Sequence, residues 1–117
     1  MKALVTGATG FLGKRLAKRL AAEGHEVVGL GRNLDEGRWL EEHGVRFVSA
    51  DLGDREAIVA ACRDREVVFH SGALSSPWGR YPDFQRSNVE GTRNVIEGCR
   101  THGIRRLVHV STPSLYF

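Results

Sequence analysis

Thr6-Gly7-Ala8-Thr9-Gly10-Phe11-Leu12-Gly13 is the stretch that decides the fold. The short apolar run Ala3–Val5 precedes it. After it, Phe11–Glu23 carries Leu12, Leu16 and Leu20 at helical spacing, with Lys14, Arg15, Lys18 and Arg19 off that stripe. A strand, a glycine turn and a helix therefore follow one another directly. Each glycine has a physical task in such a turn. Gly7 permits a tight exit from the strand, Gly10 lets backbone approach an anion without a Cβ in the way, and Gly13 lets the helix lie close to the strand. The helix start then offers unpaired N–H groups and the positive end of its dipole to a diphosphate. Three turn glycines alone would say little. The preceding strand, the following helix and a second strand about 15 residues further on supply the required context.

Working outward, the runs Val27–Leu30, Val45–Val48, Val67–His70 and Leu107–Val110 repeat the valine-rich, apolar character of Ala3–Val5. Strands apolar throughout are expected in a parallel sheet covered on both faces. Between them lie amphipathic stretches. Gly24 stands in the C′ place after the first helix. Asn33 with Glu36 predicts a capping box opening a short helix to His43, with Gly44 beyond. Asp54–Cys62 predicts a third helix. Asp83–His102 predicts a fourth, with Phe84, Asn88, Gly91, Val95 and Cys99 on one face and Arg93 paired with Glu97 on another. Strands alternating with helices predict an α/β fold, a doubly wound parallel sheet with right-handed crossovers. With the glycine loop after its first strand it is expected to be Rossmann-type, strand order 3-2-1-4-5.

The bulk numbers agree with one globular domain. A chain of 117 residues can bury roughly 60–70% of its unfolded surface. Its hydrophobic content of 41% and charged content of 26% are those of a folded protein. The net charge of +3 is small and the 17 basic residues are scattered, so no nucleic-acid partner is expected. Cys62 and Cys99 match no metal-ligand spacing and are read as reduced core thiols, so no metal is expected. The first apolar run is too short for a signal peptide or a membrane span, which predicts a cytoplasmic protein.

The loop spacing is G-x-x-G-x-x-G, and here the chain resembles the extended short-chain dehydrogenase/reductase family (NAD-dependent epimerase/dehydratase type). Further segments carry the same resemblance in the right order: Asp51-Leu52, Val68-Phe69-His70-Ser71-Gly72-Ala73, Asn88-Val89-Glu90-Gly91-Thr92-Arg93-Asn94-Val95 and Val108-His109-Val110-Ser111-Thr112. The resemblance implies a nicotinamide dinucleotide held by Gly7, Thr9, Gly10, Phe11, Leu12 and Gly13. It further implies an adenine contact at Asp51 and Leu52, and a cofactor lining at Ser71, Gly72, Ala73 and Asn88. In this fold the end of the second strand reads the adenine ribose, where an acid favours NAD and an arginine accepts a 2′-phosphate. The position is Gly31, followed by Arg32 and Asn33, so NADP is expected, with NAD possible. A solvated surface arginine is the competing account of Arg32.

The resemblance assigns Thr112 as the hydroxyl that orients the substrate oxygen, with Ser111 second. Asn88 is either a relay residue or a polar bridge between helix and sheet. The family's proton-passing Y-x-x-x-K is missing: Tyr81 is followed at that spacing by Gln85, and Tyr116 is one residue from the end. Residues 1–117 are therefore expected to be the NAD(P)-binding portion of a longer enzyme, lacking later strands and a substrate domain, inactive by itself and a homodimer when whole. Trp78, in the loop after the fourth strand, is either a substrate wall or a loop anchor. The segments around Trp78 and Ser111-Thr112-Pro113-Ser114 look most like the branch of 3β-hydroxysteroid dehydrogenases and 2-alkyl-3-oxoalkanoate reductases. That branch implies a small-molecule substrate, the secondary alcohol or ketone of an apolar compound. A nucleotide-sugar epimerase or dehydratase and a non-catalytic NADP-binding module are the alternatives.

Overall fold

The apolar runs become the strands β1 (Lys2–Thr6), β2 (Glu26–Gly31), β3 (Val45–Ser49), β4 (Val67–His70) and β5 (Arg106–His109). The structure, a computed structural model, describes residues 1–71 and 81–109, with side chains in 1–71 and 89–109. The strands form one five-stranded sheet in the order β3-β2-β1-β4-β5. Every neighbouring pair is parallel, with Thr6 of β1 in register with both Leu30 of β2 and His70 of β4. The expected topology is therefore the observed one.

Helices α1 (Phe11–Ala22), α2 (Leu34–Glu42), α3 (Arg55–Ala61) and α4 (Tyr81–Thr101) make the crossovers. Successive strand residues face opposite sides, so the sheet divides the core in two. Ala3, Val5, Val27 and Val67 pack with Ala17 and Leu20 of α1 and Leu40 of α2. Leu4, Val28, Leu30 and Val68 pack on the other face with Ile58, Val95 and both cysteines. Chain connections diverge at β1 and β4: β1 leads towards β2, β4 towards β5. Ligands of open α/β sheets bind at such a switch, beyond the carboxyl ends of the strands. The glycine loop lies there.

Several local expectations need correction. The buried stripe of α1 is Gly13, Ala17 and Leu20, not Leu12, Leu16 and Leu20. Small residues bring the helix axis close to the sheet. Leu12 is exposed and Leu16 half-buried at the margin of the same core, and both line an open groove of about 740 Å³ with Phe69 and Val108, edged by Arg15, Lys18 and Arg19. The capping box is half formed. Asn33 Oδ1 accepts from the Glu36 N–H, but the Glu36 carboxylate takes Lys14 Nζ at 2.9 Å instead of turning back. Asp54 stands outside α3 and caps it by accepting from the Ala57 N–H. Glu97 meets Arg55 of α3 at 3.0 Å rather than Arg93 of its own helix, because α3 and α4 pack side by side. Gly24 and Gly44 have positive φ, 91° and 85°, and end α1 and α2 as expected. The predicted face of α4 holds at its described members Gly91, Val95 and Cys99, which are buried. Cys62 and Cys99 are buried free thiols facing each other across α3 and α4. Burial, reinforced by Cys99, pushes the Cys62 thiol up to about 12, so it is inert at neutral pH.

Candidate functional site

The loop leaving β1 turns at Gly7, whose φ of 63° is left-handed; glycine adopts that conformation without a Cβ penalty. The Gly10 N–H donates to the Gly7 carbonyl at 3.0 Å and closes the turn. Gly10 then stands as N-cap of α1, and the first helical bond runs from the Lys14 N–H to the Gly10 carbonyl. A Cβ on Gly13 would run into the Gly7 carbonyl and the Ser71 hydroxyl. Helix and loop approach this closely only because Gly13 has no side chain. Among the described residues, a Cβ on Gly10 would meet only the Gly7 oxygen, at 3.3 Å.

The helix starts differ in a telling way. Asn33 caps α2 and Asp54 caps α3, and acids occupy their first turns: Asp35 and Glu36, and Glu56. At α1 no side chain among the described residues caps, and no acid lies in the first turn. The N–H groups of Phe11, Leu12 and Gly13 fall before the first intrahelical donor, so they need an acceptor from elsewhere. An uncapped, acid-free helix start behind a glycine turn suits a diphosphate. The residues present therefore fit the cofactor's diphosphate.

Beneath the loop lies a polar network that the sequence reading did not single out. Thr6 Oγ1 lies 2.8 Å from His70 Nδ1 and also accepts the Ser71 N–H at 3.0 Å. His70 Nε2 lies 3.1 Å from Thr92 Oγ1 on α4. The Ser71 hydroxyl donates to the Thr6 carbonyl at 2.6 Å. All bonds are satisfied if Thr6 donates to Nδ1 and Nε2–H donates to Thr92. The network ties the carboxyl ends of β1 and β4 to α4 under the loop. His70 is 3% exposed. Burial, with the nearby His109 ring second, lowers its pKa from 6.5 to about 4, so the imidazole is neutral at physiological pH. One signal was available: a histidine ending an otherwise apolar strand. Its partner became visible only once β4 was known to lie beside β1.

On the adenine side, Gly31 ends β2, and a Cβ there would strike the Thr9 side chain. Thr9 thus fills the place where a carboxylate on residue 31 would start. Arg32 extends from this point and pairs with Asp51, Nη1 to Oδ2 at 3.4 Å. Asn33 is spent partly on its cap. Asp51 Oδ1 accepts the Gly53 N–H at 2.8 Å, which holds the turn before α3. Leu52 sits between that turn and α4: its carbonyl accepts from Asn94 Nδ2 at 2.7 Å, and Gly91 leaves room for its side chain. The structure thus gathers Gly7, Thr9, Gly10, Phe11, Leu12, Gly13, Arg32, Asn33, Asp51, Leu52 and Ser71 along the carboxyl edge of the sheet. Gly72, Ala73, Trp78 and Thr112 lie outside the described residues, as does the side chain of Asn88.

A parallel sheet of this order, with a glycine loop feeding an uncapped helix at the switch point, defines a dinucleotide-binding domain of Rossmann type. Residues 3–116 match the NAD dependent epimerase/dehydratase family, and the chain belongs to it. It is 44% identical over 115 residues to a 2-alkyl-3-oxoalkanoate reductase of Stenotrophomonas maltophilia, covering 98% of this chain and 34% of that protein. It is 42% identical over 84 residues to a 3beta-hydroxysteroid-dehydrogenase/decarboxylase (isoform 2) of Arabidopsis thaliana, covering 72% of this chain and 14% of that one. Among solved structures it is similar to a UDP-glucose-4-epimerase, also from Stenotrophomonas maltophilia, with bound NAD and formylated UDP-arabinopyranose. That match has a TM-score of 0.86 and 25% identity, over 99% of this chain and 38% of that one. The chain thus spans about a third of the reductase. The family is one of nicotinamide-dependent oxidoreductases and epimerases that act on small molecules. Among the described residues, no helix is long and apolar enough to cross a membrane.

Proposed function

We propose that the chain is the cofactor-binding portion of an NADP(H)-dependent oxidoreductase, acting on a secondary alcohol or ketone of an apolar substrate. The observation carrying this reading is the uncapped, acid-free start of α1, together with Gly31 where an acid would favour NAD and Arg32 directly after it. The N–H groups of Phe11, Leu12 and Gly13 bind the diphosphate. Arg32 meets the 2′-phosphate, a contact worth about 1.5–3 kcal/mol, or roughly one to two decades in affinity. Bound there, the nicotinamide supplies or accepts hydride. Thr112 holds the substrate oxygen by a hydrogen bond, and Asn88 supports the site from α4. Likeness to the 2-alkyl-3-oxoalkanoate reductase supports the substrate class.

Binding and turnover together test this reading. Gly10→Val should leave a folded domain, since a Cβ there meets only the Gly7 oxygen, at 3.3 Å, among the described residues. It should abolish NADPH binding, because the turn needs a glycine for backbone to approach the diphosphate. Unchanged affinity in that variant would reduce the loop to a structural turn. In the enzyme, oxidation of NADPH by a 2-alkyl-3-oxoalkanoate supports the reading. Conversion of a UDP-sugar without net NADPH consumption would replace it with the epimerase reading, which the NAD-bound structural relative favours.

A further inference from the structure

Arg32 does not stand alone. It leaves the carboxyl end of β2, Asp51 stands two residues beyond the end of β3, and these strands are neighbours in register at Gly31 and Ser49. The Ala50 N–H donates to the Gly31 carbonyl at 3.0 Å and keeps the two strand ends together. Asp51 is fixed on both sides. Its Oδ1 accepts from the Gly53 N–H at 2.8 Å, and its carbonyl accepts from the Asp54 N–H at 2.9 Å. Its remaining oxygen, Oδ2, faces the Arg32 guanidinium at 3.4 Å, with the two side chains 68% and 61% exposed for Arg32 and Asp51. Thr9, packed against Gly31, closes the inner side of this corner.

We propose that Asp51 is a specificity-determining residue that restrains Arg32 and holds the preference for NADP over NAD to a modest ratio. The inference rests on Arg32 as the residue that reads the 2′-phosphate. A 2′-phosphate, with a charge between about −1 and −2, must take the guanidinium from Asp51 and then sit beside the carboxylate it displaced. A 2′-hydroxyl meets neither cost. The corner therefore carries one attractive and one repulsive charge for the same phosphate, and discrimination depends on their difference. Because the pair is exposed, the Asp51 contribution is small in affinity and screened by salt. It should still act on NADPH far more than on NADH.

A double-mutant cycle on the purified protein tests this, with dissociation constants for NADPH and NADH measured at low salt. Asp51→Asn keeps an oxygen for the Gly53 N–H and removes the charge. The ratio Kd(NADH)/Kd(NADPH) should rise about two- to fivefold, the worth of an exposed ion pair. The rise should shrink in high salt. In the Arg32→Ala background the same change should raise the ratio by clearly less, because only the direct repulsion between carboxylate and phosphate is then relieved. Asp51→Ser, which also keeps an acceptor for Gly53, should move the ratio in the same direction; circular dichroism shows that each variant is folded. An unchanged ratio in both folded Asp51 variants overturns the inference, as does a rise of undiminished size without Arg32. The underlying reading fails separately: there, Arg32→Ala alone would leave the ratio as it was. If Arg32→Ala lowers the ratio while the Asp51 variants do not move it, Arg32 reads the phosphate and Asp51 is no restraint on it.

Discussion

Acidification should destabilise this domain through His70. The imidazole is buried between Thr6 and Thr92, accommodated in its neutral form, and its pKa falls from 6.5 to about 4 in the fold. In the unfolded chain it returns to about 6.5. Between those values the unfolded state binds a proton that the folded state refuses, so stability is full above about pH 6.5 and falls on acidification. The loss levels off below about pH 4. A gap of about 2.5 pKa units at ~1.4 kcal/mol each gives ~3 kcal/mol, a large share of a typical domain stability of about 5–15 kcal/mol. Urea unfolding followed by far-UV circular dichroism, at several values between about pH 7 and about pH 4, measures it. The variant His70→Gln supplies the control. It should be less stable at neutral pH, because Thr6 and Thr92 lose a partner, but its stability should fall less steeply with acid. Everything else is common to both proteins, so the difference between the two curves isolates His70. Parallel curves would refute the assignment of a neutral, buried imidazole.

Two further outcomes separate structural from functional parts of the site. Gly13→Ala should cost about 1–3 kcal/mol and weaken cofactor binding as a consequence, because its Cβ runs into the Gly7 carbonyl and Ser71; a thermal melt compared with that of Gly10→Val checks this, and equal stabilities would contradict the geometry. In the enzyme, Thr112→Ala should reduce kcat by about two decades or more while leaving the NADPH dissociation constant nearly unchanged. Loss of cofactor affinity instead would place Thr112 against the nicotinamide half and not against the substrate.

The glycine loop, the alternation of valine-rich runs with amphipathic stretches and the helix-ending glycines were legible along the chain. Each is a local pattern, written within a few neighbouring residues: a left-handed φ at Gly7, a Cβ-free contact at Gly13, an Asn33 side chain reaching the Glu36 N–H. Strand order followed from the doubly wound Rossmann pattern that the glycine loop marks, and the side of each crossover from its right-handedness. The sequence could not show which of two plausible faces of α1 is buried. Leu12 and Leu16 are the more hydrophobic, yet Gly13 and Ala17 lie against the sheet, because close approach between backbones outweighs the burial of individual side chains. Nor could it assign partners across long separations. Thr6 with His70, Arg32 with Asp51 and Arg55 with Glu97 meet only because the sheet brings distant strand and helix ends together. The sequence alone determined that a diphosphate-binding turn exists at Gly7–Gly13. Tertiary structure decided which charges and hydrogen bonds surround it, since pairing depends on positions in space that no spacing along the chain encodes.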